Sequence, residues 1–366
     1  MPDPNAVVAI VSRIDPPADR MSPAEVFRQS PGGVVIELEG ERAVRLLPGN
    51  VAPGLLSILE QLRRLRTPVY VEIRPDTREI TRLLIPLVTR VTRIVERGAD
   101  GGVTVELEAS HARPRVAPTS QEVLEILRRS VDARTLLVVT ETDDHEIIDA
   151  RPWGQEPPRP EPALREPVPG LLTRIWRWFR CLFWCWCCVT PARAQQLFDL
   201  ANAQTCDPLT VPPPCIPFLY PDDGCWARAH EMCRLMIAAG AWPRKIWIDG
   251  NLHTLTKNNP ACFVNWGWHV APTLCVRRHV WFFWLTQDMV IDPSLFTTPV
   301  STATWKGVQG DPGATLTPTA ASVYWRNYMP TDPGYADTNF RLAIYRATLL
   351  NRSLLPNGPP PYAFCP

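Results

Sequence analysis

The sequence predicts an α+β protein built from two unlike modules, a small α/β domain over residues 20–150 and a larger α+β domain over residues 190–366. Three observations carry that expectation. Hydrophobic residues make up 45% of the 366 and charged residues 20%, enough apolar matter for packed cores. All 11 cysteines lie between Cys181 and Cys365, so the two halves differ in composition. Between them, residues 152–170 contain seven prolines, which reads as an extended, semi-rigid linker over 151–170.

Taken in order, residues 1–20 are rich in Pro and Asp and read as a flexible lead-in. Their opening, MPDPNAVVAIVSRIDPP, has no basic n-region, so no Sec signal is expected and the location follows as cytoplasm or a non-Sec export route. In the α/β domain, Val34, Ile36 and Leu38 alternate with Glu37 and Glu39 as a strand would. Leu55, Ile58, Leu59, Leu62 and Leu65 form one helical stripe, and residues 69–73 form a second strand. Residues 90–108 read as a hairpin turning at 98–102. Thr119 and Glu122 give a capping-box signal before a helix, and residues 136–141 and 146–149 a last hairpin. No nucleophile, phosphate loop or metal cluster stands out here, and His111 and His145 read as isolated surface histidines. A recognition, regulatory or delivery role is the default, and the linker predicts mechanical separation from the rest.

Residues 171–189 (LLTRIWRWFRCLFWCWCCV) interleave Arg174, Arg177 and Arg180 with aromatic residues. Docking on the protein through the aromatic face is the first reading, and peripheral membrane contact is the second. A zinc site from Cys181, Cys185, Cys187 and Cys188 ranks last, because adjacent cysteines rarely close a tetrahedron. The uncharged run from Cys181 to Val189 is too short to span a bilayer. Lys+Arg 38 against Asp+Glu 37 gives a net charge of +1, without the basic excess that a nucleic-acid binder shows.

The chemistry gathers further on. Pro221-Asp222-Asp223-Gly224 is a turn, after which Ala229, Met232, Leu235, Met236 and Ala239 share one helical stripe and Gly240 supplies the stop. Cys225 therefore falls in the first turn of a helix, where unpaired N–H groups and the helix dipole favour a thiolate. Cys233 reads as an ordinary buried cysteine. A thiol nucleophile needs a base and an orienting group. In the strand read at 263–276, Val264, Trp266, Trp268 and Val270 alternate with Asn265, Gly267, His269 and Ala271, placing His269 opposite the tryptophans. Residues 280–285 and 289–292 read as a hairpin turning near Gln287-Asp288, with Asp292 at its end before Pro293. A Cys at a helix start, then a His on a strand, then an Asp at a strand end is the chain order of papain-like and transglutaminase-like sites. On spacing alone, His230, His253 and His279 compete for the base.

The blocks FLYPDDGCWARAHEM, CFVNWGWHVAP and MVIDPSLF, with PARAQQLFDLANAQTCDP upstream, resemble the bacterial protein-glutaminase (protein-glutamine deamidase) family over roughly residues 190–365. The resemblance implies a transglutaminase-like (papain-like cysteine hydrolase) fold and a Cys225–His269–Asp292 triad without cofactor or metal. The implied reaction is hydrolysis of glutamine side chains in a protein or peptide to glutamate and ammonia, through a Cys225 thioester. Trp226, Trp266 and Trp268 are the expected wall of a glutamine slot, with core packing the commoner role for at least two of them. A transglutaminase resolving the thioester with an amine, an effector toxin deamidating one target glutamine, and a non-catalytic adaptor are the alternatives. Cys206, Cys215, Cys262, Cys275 and Cys365 are the expected pairing set, with connectivity open.

Overall fold

The computed structural model describes residues 4–17, 21–96, 102–158, 188–280, 283–326 and 328–366. The segment 171–189 therefore lies outside the described residues, apart from its last two positions.

The N-terminal half opens with an antiparallel sheet of five strands, β1 (Ala6–Asp15), β2 (Val34–Leu38), β3 (Val44–Leu46), β4 (Pro68–Ile73) and β5 (Ile80–Leu84), in the order β3-β2-β1-β4-β5. The lead-in expected over residues 1–20 thus holds the central strand. Its run Ala6-Val-Val-Ala-Ile-Val11 has no polar alternation to announce a half-exposed strand, because both sides of β1 are covered. Helices α1 (Pro23–Gln29) and α2 (Ala52–Leu65) follow, α1 entered through a capping box of Ser22 and Glu25.

A second lobe carries β6 (Leu87–Thr89), β7 (Val91–Glu96), β8 (Val103–Leu107), β9 (Arg115–Val116), α3 (Gln121–Ala133), β10 (Leu137–Glu141) and β11 (Ile147–Pro152). Its sheets are β11-β10-β6 and β7-β8-β9, with α3 packed against β7 and β11. The N-cap of α3 is Ser120 rather than Thr119, and its side chain makes no capping bond.

The C-terminal half comprises α4 (Pro191–Asn202), α5 (Cys225–Ala238), β12 (Arg244–Leu255), β13 (Phe263–Val280), β14 (Phe283–Val290), β15 (Val300–Ser301), α6 (Thr302–Gly307), β16 (Thr315–Ala320) and α7 (Ala336–Ser353). The sheet order is β15-β14-β13-β12-β16, antiparallel throughout. The hairpin expected to turn at Gln287-Asp288 is instead one strand: Gln287 pairs with Val276 and Asp288 with Cys275, so the reversal lies between Val280 and Phe283. Alternation alone could not locate it, because residues on both sides keep the same period.

Disulfides join Cys188 to Cys275, Cys206 to Cys215 and Cys262 to Cys365, and Cys225 and Cys233 are free and buried. Cys188 was absent from the expected pairing set, and its bond to Cys275 removes it from the four cysteines weighed for zinc. No described helix is long and apolar enough to cross a membrane.

The two halves are not mechanically separate. One buried cluster runs from Val26, Leu56, Leu59 and Val71 to Leu197, Trp226, Phe340 and Leu349. Gln61 donates to the carbonyl of Ala343, and Asn351 to that of Leu83 at 3.0 Å. Proline density describes the linker but says nothing about whether the domains beyond it carry complementary apolar faces.

Candidate active site

Gly224 is the N-cap of α5 and sits at φ +79°, the left-handed region that glycine tolerates. A Cβ there would lie 2.3 Å from the Tyr345 ring. The turn before it is held by the buried Arg228, whose guanidinium donates to the carbonyls of Tyr220 at 2.9 Å, Asp223 at 2.5 Å and Pro221 at 3.2 Å. Sequence and packing together therefore fix Cys225 as the first helical residue. Gly224→Ala is expected to cost about 1–3 kcal/mol from the backbone alone. It should also lower turnover by roughly a hundredfold, since a displacement of about 1 Å suffices for that. Thermal melting with steady-state kinetics checks this, and an unchanged kcat would remove the argument for Gly224.

His269 comes from β13 and Asp292 from the segment after β14. His269 Nε2 lies 2.9 Å from Asp292 Oδ2, which also accepts from Trp305 Nε1 at 2.9 Å, while Asp292 Oδ1 accepts from the Ser294 N–H. Burial alone would raise the Asp292 carboxyl, but His269 and Trp305 hold it below its usual value. His269 Nδ1 is buried without a hydrogen-bond partner. A nitrogen of His269, the Cys225 sulfur and a nitrogen of His111 lie within 4.8 Å of one another.

His269 does not face away from both tryptophans as alternation predicted. Trp266 stacks on it with ring centroids 4.5 Å apart, and Trp305 covers it at 5.5 Å. The physical reason is a register shift in the pairing with β12, between Asp249 and Leu252, which breaks the simple two-residue period locally. Of the expected slot residues, Trp226 and Trp266 are fully buried, Trp226 lying 4.0 Å from Trp325. Trp268 is half-buried beside His111. Among the competing histidines, His230 packs inside with its Nδ1 3.1 Å from Lys245 Nζ, and His253 bonds Asn265 on the surface. The side chain of His279 lies outside the described residues.

His111 and His145 are the residues that the sequence reading missed. Strand β14 pairs with β13 only from Thr273 onward, so the stretch before it has an unpaired edge. Residues 111–113 fill that edge: Gly267 N–H donates to the His111 carbonyl at 2.9 Å, and Arg113 N–H to the Asn265 carbonyl at 3.1 Å. Ala112 bridges Trp266 in antiparallel sense. Arg113 passes over Gly267 to bond Asn251, in the space a side chain would take. The His111 ring reaches the cleft, with Nδ1 2.9 Å from the Trp268 carbonyl, while the backbone N–H of His111 donates to Asp223 Oδ1 at 3.2 Å. Burial keeps His111 neutral, well below the ordinary histidine range. Its flanking Ala109, Ser110 and Ala112 were the available signal, because small neighbours let a chain run close to another strand.

Enclosed in this way, the Cys225 thiol is not the thiolate that its helix position predicts. Burial pushes it well above its usual range, and the favourable Arg228 charge does not offset that. A second tie lies behind Cys225. Asp222 accepts from Arg352 at 2.6 Å and from His145 at 2.8 Å. Burial would lower His145, yet Glu141 and Asp222 raise it to about 10, so it is a cation locked between the halves.

A family model described as glutaminase matches residues 194–309, a span that contains Cys225, His269 and Asp292. The crystal structure of a pro- protein-glutaminase is similar at 24% identity and a TM-score of 0.51, covering 77% of this chain and 99% of its own. That likeness of fold extends into the N-terminal half, since residues 190–366 are only about half of the sequence. The protein-glutaminase from Chryseobacterium proteolyticum, solved by NMR, is 32% identical over 42% of this chain and 84% of its own, with a TM-score of 0.37. A crystal structure of protein-glutaminase is 29% identical, covering 49% of this chain and all of its own, also with a TM-score of 0.37. No curated protein matches the chain. The span of the matched glutaminase model takes in the segments around Cys225, His269 and Asp292, and with 32% identity across most of the Chryseobacterium protein the chain belongs to the protein-glutaminase family.

Proposed function

We propose that the chain is the latent form of a protein-glutamine glutaminase. Residues 190–366 form a transglutaminase-like catalytic domain, and the N-terminal half, residues 20–150 included, holds it closed. The observation that carries this reading is the line from Asp292 through His269 to Cys225, with residues 110–113 of the other half laid across it.

In the opened site, the glutamine carboxamide meets Cys225, whose proton passes to His269 Nδ1 as sulfur attacks the carbon. Asp292, on Nε2, fixes the tautomer that leaves Nδ1 able to accept and stabilises the imidazolium. The N–H of Cys225 has no carbonyl four residues back within the helix, which makes it a donor for the oxyanion. His269 returns its proton to the departing ammonia, then activates water against the thioester, giving glutamate. Trp266 and Trp305 stack on the imidazole and hold its plane, and half-buried Trp268 is left to touch the glutamine chain.

Ammonia release from a glutamine-containing peptide, with and without an amine donor, tests the reaction. Release without amine incorporation supports hydrolysis, whereas cross-linking as the main product would make the enzyme a transglutaminase. Asp292→Asn, measured in the processed enzyme, is expected to lower kcat by about 10²–10⁴-fold with little change in KM, because the imidazole loses its tautomer control. A full-rate Asp292→Asn enzyme would assign the orienting role elsewhere.

A further inference from the structure

We propose that the closed chain binds one divalent transition-metal ion of the zinc type, held by Cys225 and His269 from the catalytic half and by His111 from the N-terminal half. The site takes from the functional reading only that Cys225 is the nucleophile; the binding itself can be read without any assay of activity.

The donors are already gathered. One atom from each residue lies within 4.8 Å of the others, and all three residues are buried. Bonds of about 2.0 Å to nitrogen and 2.3 Å to sulfur set tetrahedral donors roughly 3.3–3.6 Å apart. Closure therefore needs movements of about 1 Å, within the reach of small side-chain rotations.

The hydrogen bonds prepare the imidazoles as ligands. His111 Nδ1 lies 2.9 Å from the Trp268 carbonyl and His269 Nε2 2.9 Å from the Asp292 carboxylate. Each pairing with an acceptor places the proton on that nitrogen and the lone pair on the other. A ligating histidine is held in this way, through its second N–H. The two remaining nitrogens, His111 Nε2 and His269 Nδ1, are both buried and both without a hydrogen-bond partner, His111 Nε2 lying 3.5 Å from the Asp223 carboxylate. His269 needs its free nitrogen for catalysis, but His111 has no part in the reaction. An orphaned acceptor at such a depth has a cost that a bound ion would cancel.

One thiolate with two imidazoles suits zinc and its neighbours rather than calcium or magnesium, and three protein donors leave a fourth position for water. Binding exchanges the Cys225 S–H bond for a sulfur–metal bond and releases that proton to the buffer. The imidazoles bind neutral, and nothing is oxidised or reduced. In the processed enzyme only Cys225 and His269 remain, so the ion belongs to the closed form. By linkage it must then oppose departure of residues 110–113.

The test uses the intact full chain, stripped with a chelator and titrated with Co²⁺, then displaced with Zn²⁺. The expected result is one Co²⁺ per chain, with a thiolate-to-cobalt charge-transfer band and the visible bands of tetrahedral cobalt. Cys225→Ser should lose the charge-transfer band. His111→Ala and the space-filling His111→Gln should each weaken Co²⁺ binding at least tenfold, and His111→Gln guards against a loss caused by loosened packing. A chain without the charge-transfer band overturns the proposal. So does a band that survives with unchanged affinity in His111→Gln, since the remaining cysteines would then be its source.

Discussion

Cys225→Ala is expected to abolish deamidation by the processed enzyme, on the order of 10⁵-fold or more in kcat, while leaving the fold in place. The size of the effect follows from the chemistry. Without the sulfur no thioester forms, and His269 and Asp292 have nothing to act through. The small structural effect follows from position. Residue 225 opens α5, where alanine is a good helix former, and the turn before it is held by Arg228 and Gly224 independently of the sulfur. Ammonia release and thermal melting measure the two halves of this statement. Wild-type release by Cys225→Ala would assign the nucleophile to another residue. A collapse of the melting transition would mean that the sulfur has a packing role the geometry does not reveal.

The second large effect is expected from the N-terminal half. Limited proteolysis between residues 159 and 187, followed by separation of the pieces, should raise glutaminase activity at least a hundredfold over the intact chain. Residues 111–113 occupy the edge of β13 beside Gly267, and the His111 ring stands against Cys225 and His269, so no carboxamide can enter while they stay. Cleavage by itself should release little. Arg352, Asp222 and His145 still bind the halves together, and the shared apolar cluster remains shut. Activity measured before cleavage, after cleavage and after size-exclusion separation distinguishes the steps. Equal activity in all three would mean that residues 110–113 leave the cleft unaided.

Much of the site was legible in the sequence because it is local. A glycine turn before a helix, a histidine in a tryptophan-rich strand and an aspartate before proline each have a short-range pattern, and Cys225, His269 and Asp292 do meet. What could not be read depends on which surfaces meet. His111 and His145 look solitary along the chain; His111 becomes buried and His145 half-buried only because β13 has an open edge and Asp222 lies beneath the other half. The Cys225 thiol is a case of the same kind: its helix position favours charge, but the cover over it decides the outcome. Strand β1 failed for the opposite reason, since an apolar run covered on both sides gives no alternation to detect.

The apolar cluster drawn from both halves has a consequence for how the molecule is made. Phe340 and Leu349 on α7 share one buried cluster with Leu56 and Leu59 on α2, and the two helices pack together, so the catalytic half completes this part of its interior only when the N-terminal half is in place. The N-terminal half is then a mould as well as a cover. The disulfides Cys188–Cys275, Cys206–Cys215 and Cys262–Cys365 all lie within residues 188–366, so they remain as staples when the mould is gone. The released enzyme keeps those staples, and a molecule that once unfolds has lost the template it was cast on.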